Sequence, residues 1–336
     1  MSGTSRNIPF SDCLVAMTEI GSEFHKMPIE SGRGVTYPRQ GSLVFSGRTA
    51  IEAVLRKNPD ARSVLIPSYC CDSMIIPFRK AGIEVKHYSV NWADGLKIEL
   101  DDTADILLLC NYFGYRNEMP NFDGIVIEDI THSFLSEKQF HEHSDFLVAS
   151  LRKWGPVLCG GYCSVNVTGS IPSEKFIEEK SSAMNLKAEY LQDLDESKKL
   201  KFLQVFTESN EWLADNYSGL SIDSWSKEYL LHVDVEKQRN VRRQNAHILH
   251  ESMKGKICFL FPEEDMDCPL FVPVLLKNRD EVRRHLTKNK IYCPVHWPKP
   301  EGADSNIYDM ELSLVCDQRY GVNDMERIVS VLSEVI

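Results

Sequence analysis

Residues 105–153 read DILLLCNYFGYRNEMPNFDGIVIEDITHSFLSEKQFHEHSDFLVASLRK, and three short apolar runs stand out in them, at 105–110, 124–127 and 145–149. Each is apolar at consecutive positions rather than alternate ones. A strand with one wet face alternates, whereas a strand apolar on both faces must be covered on both, as in a parallel sheet held between layers of helix. The same form appears upstream at 63–66, where Ser-Val-Leu-Ile runs into Pro67. Between these runs, 50–55 carries helical spacing, 70–81 forms the next helix with Pro77 inside it and Gly82 at its end, and 84–90 alternates like a strand. The first half is therefore predicted to be an α/β domain with a mostly parallel sheet.

Downstream the character changes. Residues 172–253 are dense in Lys and Glu with apolar residues at helical spacing, and 235–253 reads as one long charged helix. Beyond it, 258–261, 270–276 and 291–293 read as strands, with helices over 279–289 and 324–335. The expected organisation is a large α/β domain with an N-terminal segment and helical connector over 1–234. The long helix and a smaller α+β domain follow over 235–336.

Composition narrows the function classes. Of 336 residues, 43% are hydrophobic and 26% charged, the balance of a globular protein. The 38 Lys and Arg against 49 Asp and Glu leave a net charge of −11, which would repel a phosphate backbone and excludes nucleic acid as the main partner. The opening MSGTSRNIPFSDCLVAM has no charged leader followed by an apolar run, and no stretch approaches the ~18 apolar residues of a membrane helix. A cytoplasmic protein without a membrane partner is expected. The ten cysteines include the adjacent Cys70 and Cys71 and the pair Cys159 and Cys163, but no C-x-x-C knuckle. They are expected to be reduced core residues, with no metal site.

In doubly wound sheets ligands bind beyond the carboxyl ends of the strands, and three such places are chemically distinctive. Ser46-Gly47-Arg48-Thr49-Ala50 opens a helix at a glycine, which leaves backbone N–H groups for an anion such as phosphate; an ordinary serine cap is the other reading. Glu128-Asp129-Ile130-Thr131-His132 puts carboxylate and imidazole at a strand end, with an Asp that merely caps the next turn as the other reading. Lys153 follows the strand at 145–149 and precedes a Gly160-Gly161 turn; apolar walls there would lower its pKa and expose a neutral amine, and an ordinary surface lysine is the other reading. A phosphate cradle, a carboxylate and a lysine along one parallel sheet are the parts that pyridoxal phosphate requires. The helix end takes the phosphate, the lysine forms the Schiff base, and the Asp pairs with the pyridinium nitrogen.

These residues resemble the DegT/DnrJ/StrS family of sugar aminotransferases, of the aspartate-aminotransferase fold (fold type I). Ser46–Ala50 is similar to the family's S-G-T-x-A turn, Ile66-Pro67-Ser68-Tyr69-Cys70-Cys71 to its P-x-x-T-aromatic segment, and Cys110–Gly114 to its H-x-x-G exit. Glu128-Asp129 with His132 resembles E-D-x-x-[HQ], and Lys153 stands seven residues before Gly160 as the family's lysine stands before its G-G. Pro294–Trp297 and Leu312-Ser313-Leu314 resemble its P-x-H and L-S-L-P segments. The resemblance implies Lys153 and Asp129 as catalytic residues. Gly47, Arg48, Thr49, Cys71, Asp129, His132, Ser150 and Lys153 are implied as the contacts to pyridoxal 5′-phosphate, with His132 near the phenolic oxygen.

The resemblance further implies ping-pong amino transfer from an amino-acid donor to a nucleotide-linked keto-sugar, in a homodimer. The alternatives are a sugar dehydratase, which Lys153 disfavours, and a ligand-binding or partner subunit that has lost turnover. Three departures matter. Ser150 precedes Lys153 by three residues where the family places its serine five before, Cys71 stands where a ring-stacking aromatic is expected, and 218–225 lacks the N-x-R segment. Elsewhere, Arg242 and Arg243 are expected on a solvated helix face and Asp317–Tyr320 in a turn before the last helix. His296 is either a cleft residue or a strand-end histidine.

Overall fold

The computed structural model describes residues 19–93, 95–265 and 267–336; the expectation about the opening segment lies outside them. In chain order the elements of the first half are β1 (Ile20–Gly21), β2 (Ser42–Val44), α1 (Gly47–Leu55), β3 (Ser63–Pro67), α2 (Asp72–Lys80), β4 (Glu84–Trp92), β5 (Leu96–Glu99), β6 (Ile106–Cys110), β7 (Ile125–Asp129), β8 (Phe146–Ser150) and β9 (Gly161–Cys163). Four helices follow, α3 (Glu174–Asp193), α4 (Glu196–Asp215), α5 (Ser224–His232) and α6 (Val235–Met253). The chain then runs through β10 (Cys258–Phe259), β11 (Val272–Leu275), α7 (Arg279–Lys288), β12 (Ile291–Tyr292), β13 (Glu311–Leu314) and α8 (Val322–Leu332).

Eight strands form one sheet in the order β2-β9-β8-β7-β6-β3-β4-β5. The pairs β4·β3, β3·β6, β6·β7 and β7·β8 are parallel, while β9 runs antiparallel to both its neighbours and β5 closes a hairpin on β4. The consecutive apolar runs are the reason for the parallel centre: all five residues of β6, and four of five in β3 and β7, are buried. The sheet order reverses between β3 and β6, so a crevice opens beyond their carboxyl ends. Pro77 sits inside α2, and Gly82, at φ +73°, ends that segment.

One glycine seats α1 against the sheet. Gly161 pairs with Val44 on one side and Ser150 on the other, and a Cβ there would collide with the Ser46 carbonyl. The G-G pair, expected to be a turn, thus begins a strand held between β2 and β8 and lets the start of α1 lie against the end of β8. The second sheet, β10-β11-β13, is antiparallel and packs with α6, α7 and α8 around Leu249, Val274, Leu286, Leu312 and Ile328. β12 does not join it; β12 pairs in parallel with β1 instead, which ties the first described residues to the last third of the chain.

Candidate active site

The strand ends bring most of the expected residues to one place. At the start of α1, Ser46 caps the helix by accepting the Thr49 N–H at 3.3 Å. The first N–H groups of a helix have no intrahelical partner, so those of Gly47 and Arg48 face outward beside β8. A Cβ on Gly47 would lie 3.3 Å from Ser150 Cβ, so the glycine preserves a gap between the helix end and that side chain. Thr49, expected to touch the cofactor, is turned into the fold: its hydroxyl donates to the Tyr217 carbonyl at 2.8 Å and its amide is held by Ser46. Its role is to fix the cap.

In β7, successive side chains face opposite ways. Glu128 is fully buried, with Oε1 accepting from Asn111 Nδ2 at 2.8 Å and Oε2 from the His141 N–H at 2.8 Å and Ser144 Oγ at 2.6 Å. It anchors the loop ahead of β8. Asp129, 8% exposed, faces the crevice and accepts the Thr131 N–H through Oδ1 at 2.8 Å. Burial first, and then Glu128, push its carboxyl above the ordinary value, against the Thr131 hydrogen bonds. Thr131 also accepts the Ser150 N–H at 2.9 Å and, through its carbonyl, the Trp154 indole at 2.7 Å, locking the ends of β7 and β8 together.

His132 accepts the Phe113 N–H through Nδ1 at 3.2 Å, so its proton sits on Nε2. Burial, His296 and Lys153 hold its pKa well below normal, and it stays neutral. Around it stand Trp297, with ring centroids 5.7 Å apart and planes 30° apart, and Tyr69, 5.0 Å from Trp297. Cys71 caps α2 and contacts Ser73 Oγ at 2.8 Å; burial raises its pKa, and both Lys153 and Asp129 act on it. The position of the expected stacking aromatic is therefore a thiol inside the site.

Lys153 lies in a single 3₁₀ turn, Leu151–Lys153, directly after β8. It is exposed into a half-open cavity of about 590 Å³, within which the neighbouring protein still strips water from it. Burial is the largest influence lowering its pKa, followed by Arg152 and with Arg48 acting in the same sense; Cys71 and Glu23 oppose them. Arg48 and Arg152 each carry a buried Nε without a hydrogen-bond partner, and both line the cavity. A donor set of this kind suits a phosphate or carboxylate.

Three residues on the cavity wall, Arg242, Glu23 and Asn210, escaped the sequence reading. Arg242, expected on a solvated face, is fully buried: Nη1 donates to the carbonyls of Pro269 and Leu270 at 3.1 Å, and its guanidinium lies 4.8 Å over Trp154. Arg243 is on the surface, paired with Asp267 at 2.6 Å and Glu137 at 3.2 Å. His296 is a cleft residue, buried on the cavity wall with Nδ1 on Ser313 Oγ at 2.9 Å. Arg319 is committed to Asp317, at 2.9 and 2.8 Å. Glu23 reaches the cavity from the turn after β1 and Asn210 from α4. The nine described cysteines are all free thiols, seven of them buried, and among the described residues no group of His, Cys, Asp or Glu is disposed to hold a metal. No described helix is long and apolar enough to cross a membrane.

No family model matches the chain, and no curated protein matches its sequence. Solved structures do match. A DegT DnrJ EryC1 StrS aminotransferase from Brucella abortus is 15% identical, with 88% of this chain and 85% of that one covered at a TM-score of 0.60. Spr1654 from Streptococcus pneumoniae, in its PLP form, is 11% identical over 94% of each chain at 0.63. DesI with its TDP-sugar product is 11% identical over 88% and 80% at 0.59. With the sheet order, these likenesses establish the expected architecture: the chain has the fold of the DegT/DnrJ/EryC1/StrS aminotransferases, fold type I of the pyridoxal phosphate enzymes.

Proposed function

We propose that the protein is a pyridoxal phosphate-dependent aminotransferase that acts on a nucleotide-linked keto-sugar. The observation that carries this reading is the meeting of Lys153, Asp129 and the Gly47–Ser150 gap beside one cavity lined by Arg48 and Arg152. The residues fit the cofactor: an anion-binding helix end for the phosphate, a buried carboxyl lifted by desolvation for a ring N–H, and an amine depressed by its surroundings. When bound, pyridoxal phosphate supplies an aldehyde for an amine and a protonated ring that withdraws electrons.

Each residue then has a task. Gly47, Arg48 and Ser150 hold the phosphate, and Asp129 keeps the proton on the ring nitrogen. His132 donates Nε2–H to a ligand oxygen. Lys153 Nζ binds the cofactor and, once free, moves the proton at the reacting carbon. The TDP-sugar product of DesI supports the nucleotide-linked acceptor, and the PLP form of Spr1654 supports the cofactor. An amino-acid donor, a homodimer, a cytoplasmic location and the division of the chain near residue 234 belong to the same proposal.

The test is to incubate the purified chain with pyridoxal phosphate, a TDP-linked keto-sugar and an amino-acid donor, with glutamine, alanine and glutamate tried in turn, and to look for the amino sugar by mass spectrometry. Product that disappears in Lys153→Met supports the reading. Binding of the sugar without amination under any donor would replace it with the ligand-binding subunit to which Cys71 points.

A further inference from the structure

The pairing of β1 with β12, Ile20 to Ile291 and Gly21 to Tyr292, throws the turn Ser22-Glu23 over the cavity. The backbone of this turn is pinned. Gly21 has a φ of +93° and a Cβ there would strike the Tyr292 carbonyl, while its N–H donates to the Tyr320 hydroxyl at 2.8 Å. Arg319 Nη1 donates to the carbonyls of Ser22 and Glu23 at 3.2 and 3.1 Å, and the Lys187 ammonium donates to the Glu23 carbonyl. The Glu23 side chain is left to project. Its Oε1 accepts a long hydrogen bond of 3.5 Å from Asn210 Nδ2, and Asn210 Oδ1 accepts from Arg152 Nη1 at 3.2 Å and Lys180 Nζ at 3.4 Å. One amide thus joins the carboxylate to the residue before Lys153. Among the described residues the other carboxylate on the cavity wall is Asp317, and Arg319 already holds it.

We infer that Glu23 is a specificity-determining residue. Its carboxylate sets the charge of the ligand portion accepted next to Lys153, receiving hydroxyl donors and turning away a second carboxylate. Without it, the wall formed by Arg48, Arg152 and Arg283 would favour the most highly charged anion available. A fixed negative charge in the midst of these cations costs a dianion more than a monoanion and costs a neutral polyol nothing, which is discrimination by repulsion. The inference rests on the reading of this cavity as the substrate site; it does not depend on the identity of the sugar.

The test compares the wild-type full chain with Glu23→Gln, titrated by calorimetry at pH 8 and low salt with succinate, a dianion, and butyrate, a monoanion of equal chain length. Glu23→Gln is expected to bind succinate about tenfold more tightly and butyrate about threefold or less, with the gain shrinking as salt is added. A misfolded variant would lose affinity rather than gain it, so misfolding cannot mimic the expected result. An unchanged ratio of succinate to butyrate affinity, or no binding of either acid by either protein, overturns the inference. Cofactor attachment to Lys153 in the wild-type chain, measured separately, shows whether the functional reading has failed as well.

Discussion

Substituting Gly47 by alanine separates the phosphate cradle from the stability of the fold, because the two respond with different signs and sizes. The new methyl would lie 3.3 Å from Ser150 Cβ, 3.6 Å from its N and 3.7 Å from its Cα, a tight contact that a shift of a few tenths of an ångström relieves. Against that strain, alanine gains up to about 1 kcal/mol over glycine in a helix. The net change in folding free energy should stay within about 1 kcal/mol, or about 3 °C in Tm. Ligand binding has no such compensation. The methyl fills the gap between the outward N–H groups of α1 and Ser150, and each charge-assisted hydrogen bond lost there costs about 1.5–3 kcal/mol, or about 10- to 100-fold in affinity. The assay is an absorbance titration with pyridoxal 5′-phosphate, repeated with pyridoxal, which lacks the phosphate. Gly47→Ala should lose affinity for the first and keep it for the second within about threefold. Equal losses for both ligands, or wild-type affinity for both, would refute the cradle.

Three further outcomes follow from the same geometry. Asp129 carries a folded-state pKa above its ordinary value, so its ionised form is disfavoured by folding and its stabilising share is lost as pH rises through that raised pKa. Asp129→Asn should therefore raise the Tm of cofactor-free protein at pH 7 while abolishing amination. For His25, burial first and then Arg319 and Lys187 depress the pKa to about 4, and His132 is depressed as well. The unfolded chain then binds protons first below about pH 6.5; urea midpoints should fall between pH 6.5 and 4, and less steeply in His132→Gln. Ile127→Ala, at a fully buried position in β7, should cost about 3 kcal/mol by urea titration.

The sequence disclosed those elements whose signal is local. The spacing over 235–253 coincides with α6, and the consecutive apolar runs locate β3, β6, β7 and β8 within a residue or two. Strand β9 was hidden because Gly160-Gly161 reads as a turn, and only the approach of α1 shows why a strand needs a glycine there. The partner of β12 was hidden because Ile20 and Ile291 meet from opposite ends of the chain. Arg242 stands in a charged helix like any surface arginine, and its burial is imposed by Trp154 and the Pro269–Leu270 backbone, which helix spacing cannot register. Glu23 and Asn210 carried no local signal at all, since each reaches the cavity through tertiary pairing alone.

The central claim is that Lys153 is the amine that takes the cofactor, and the structure offers rivals. Unlike Lys153, which is exposed to the cavity, Lys187 and Lys180 are buried, with pKa values lowered to about 7 and about 8, chiefly by desolvation. The most direct measurement is to saturate the protein with pyridoxal phosphate, reduce with borohydride, digest, and locate the phosphopyridoxyl group by mass spectrometry. One adduct per chain on Lys153, absent from Lys153→Met, is the predicted result. An adduct confined to Lys180 or Lys187, or none at saturation, would contradict the account.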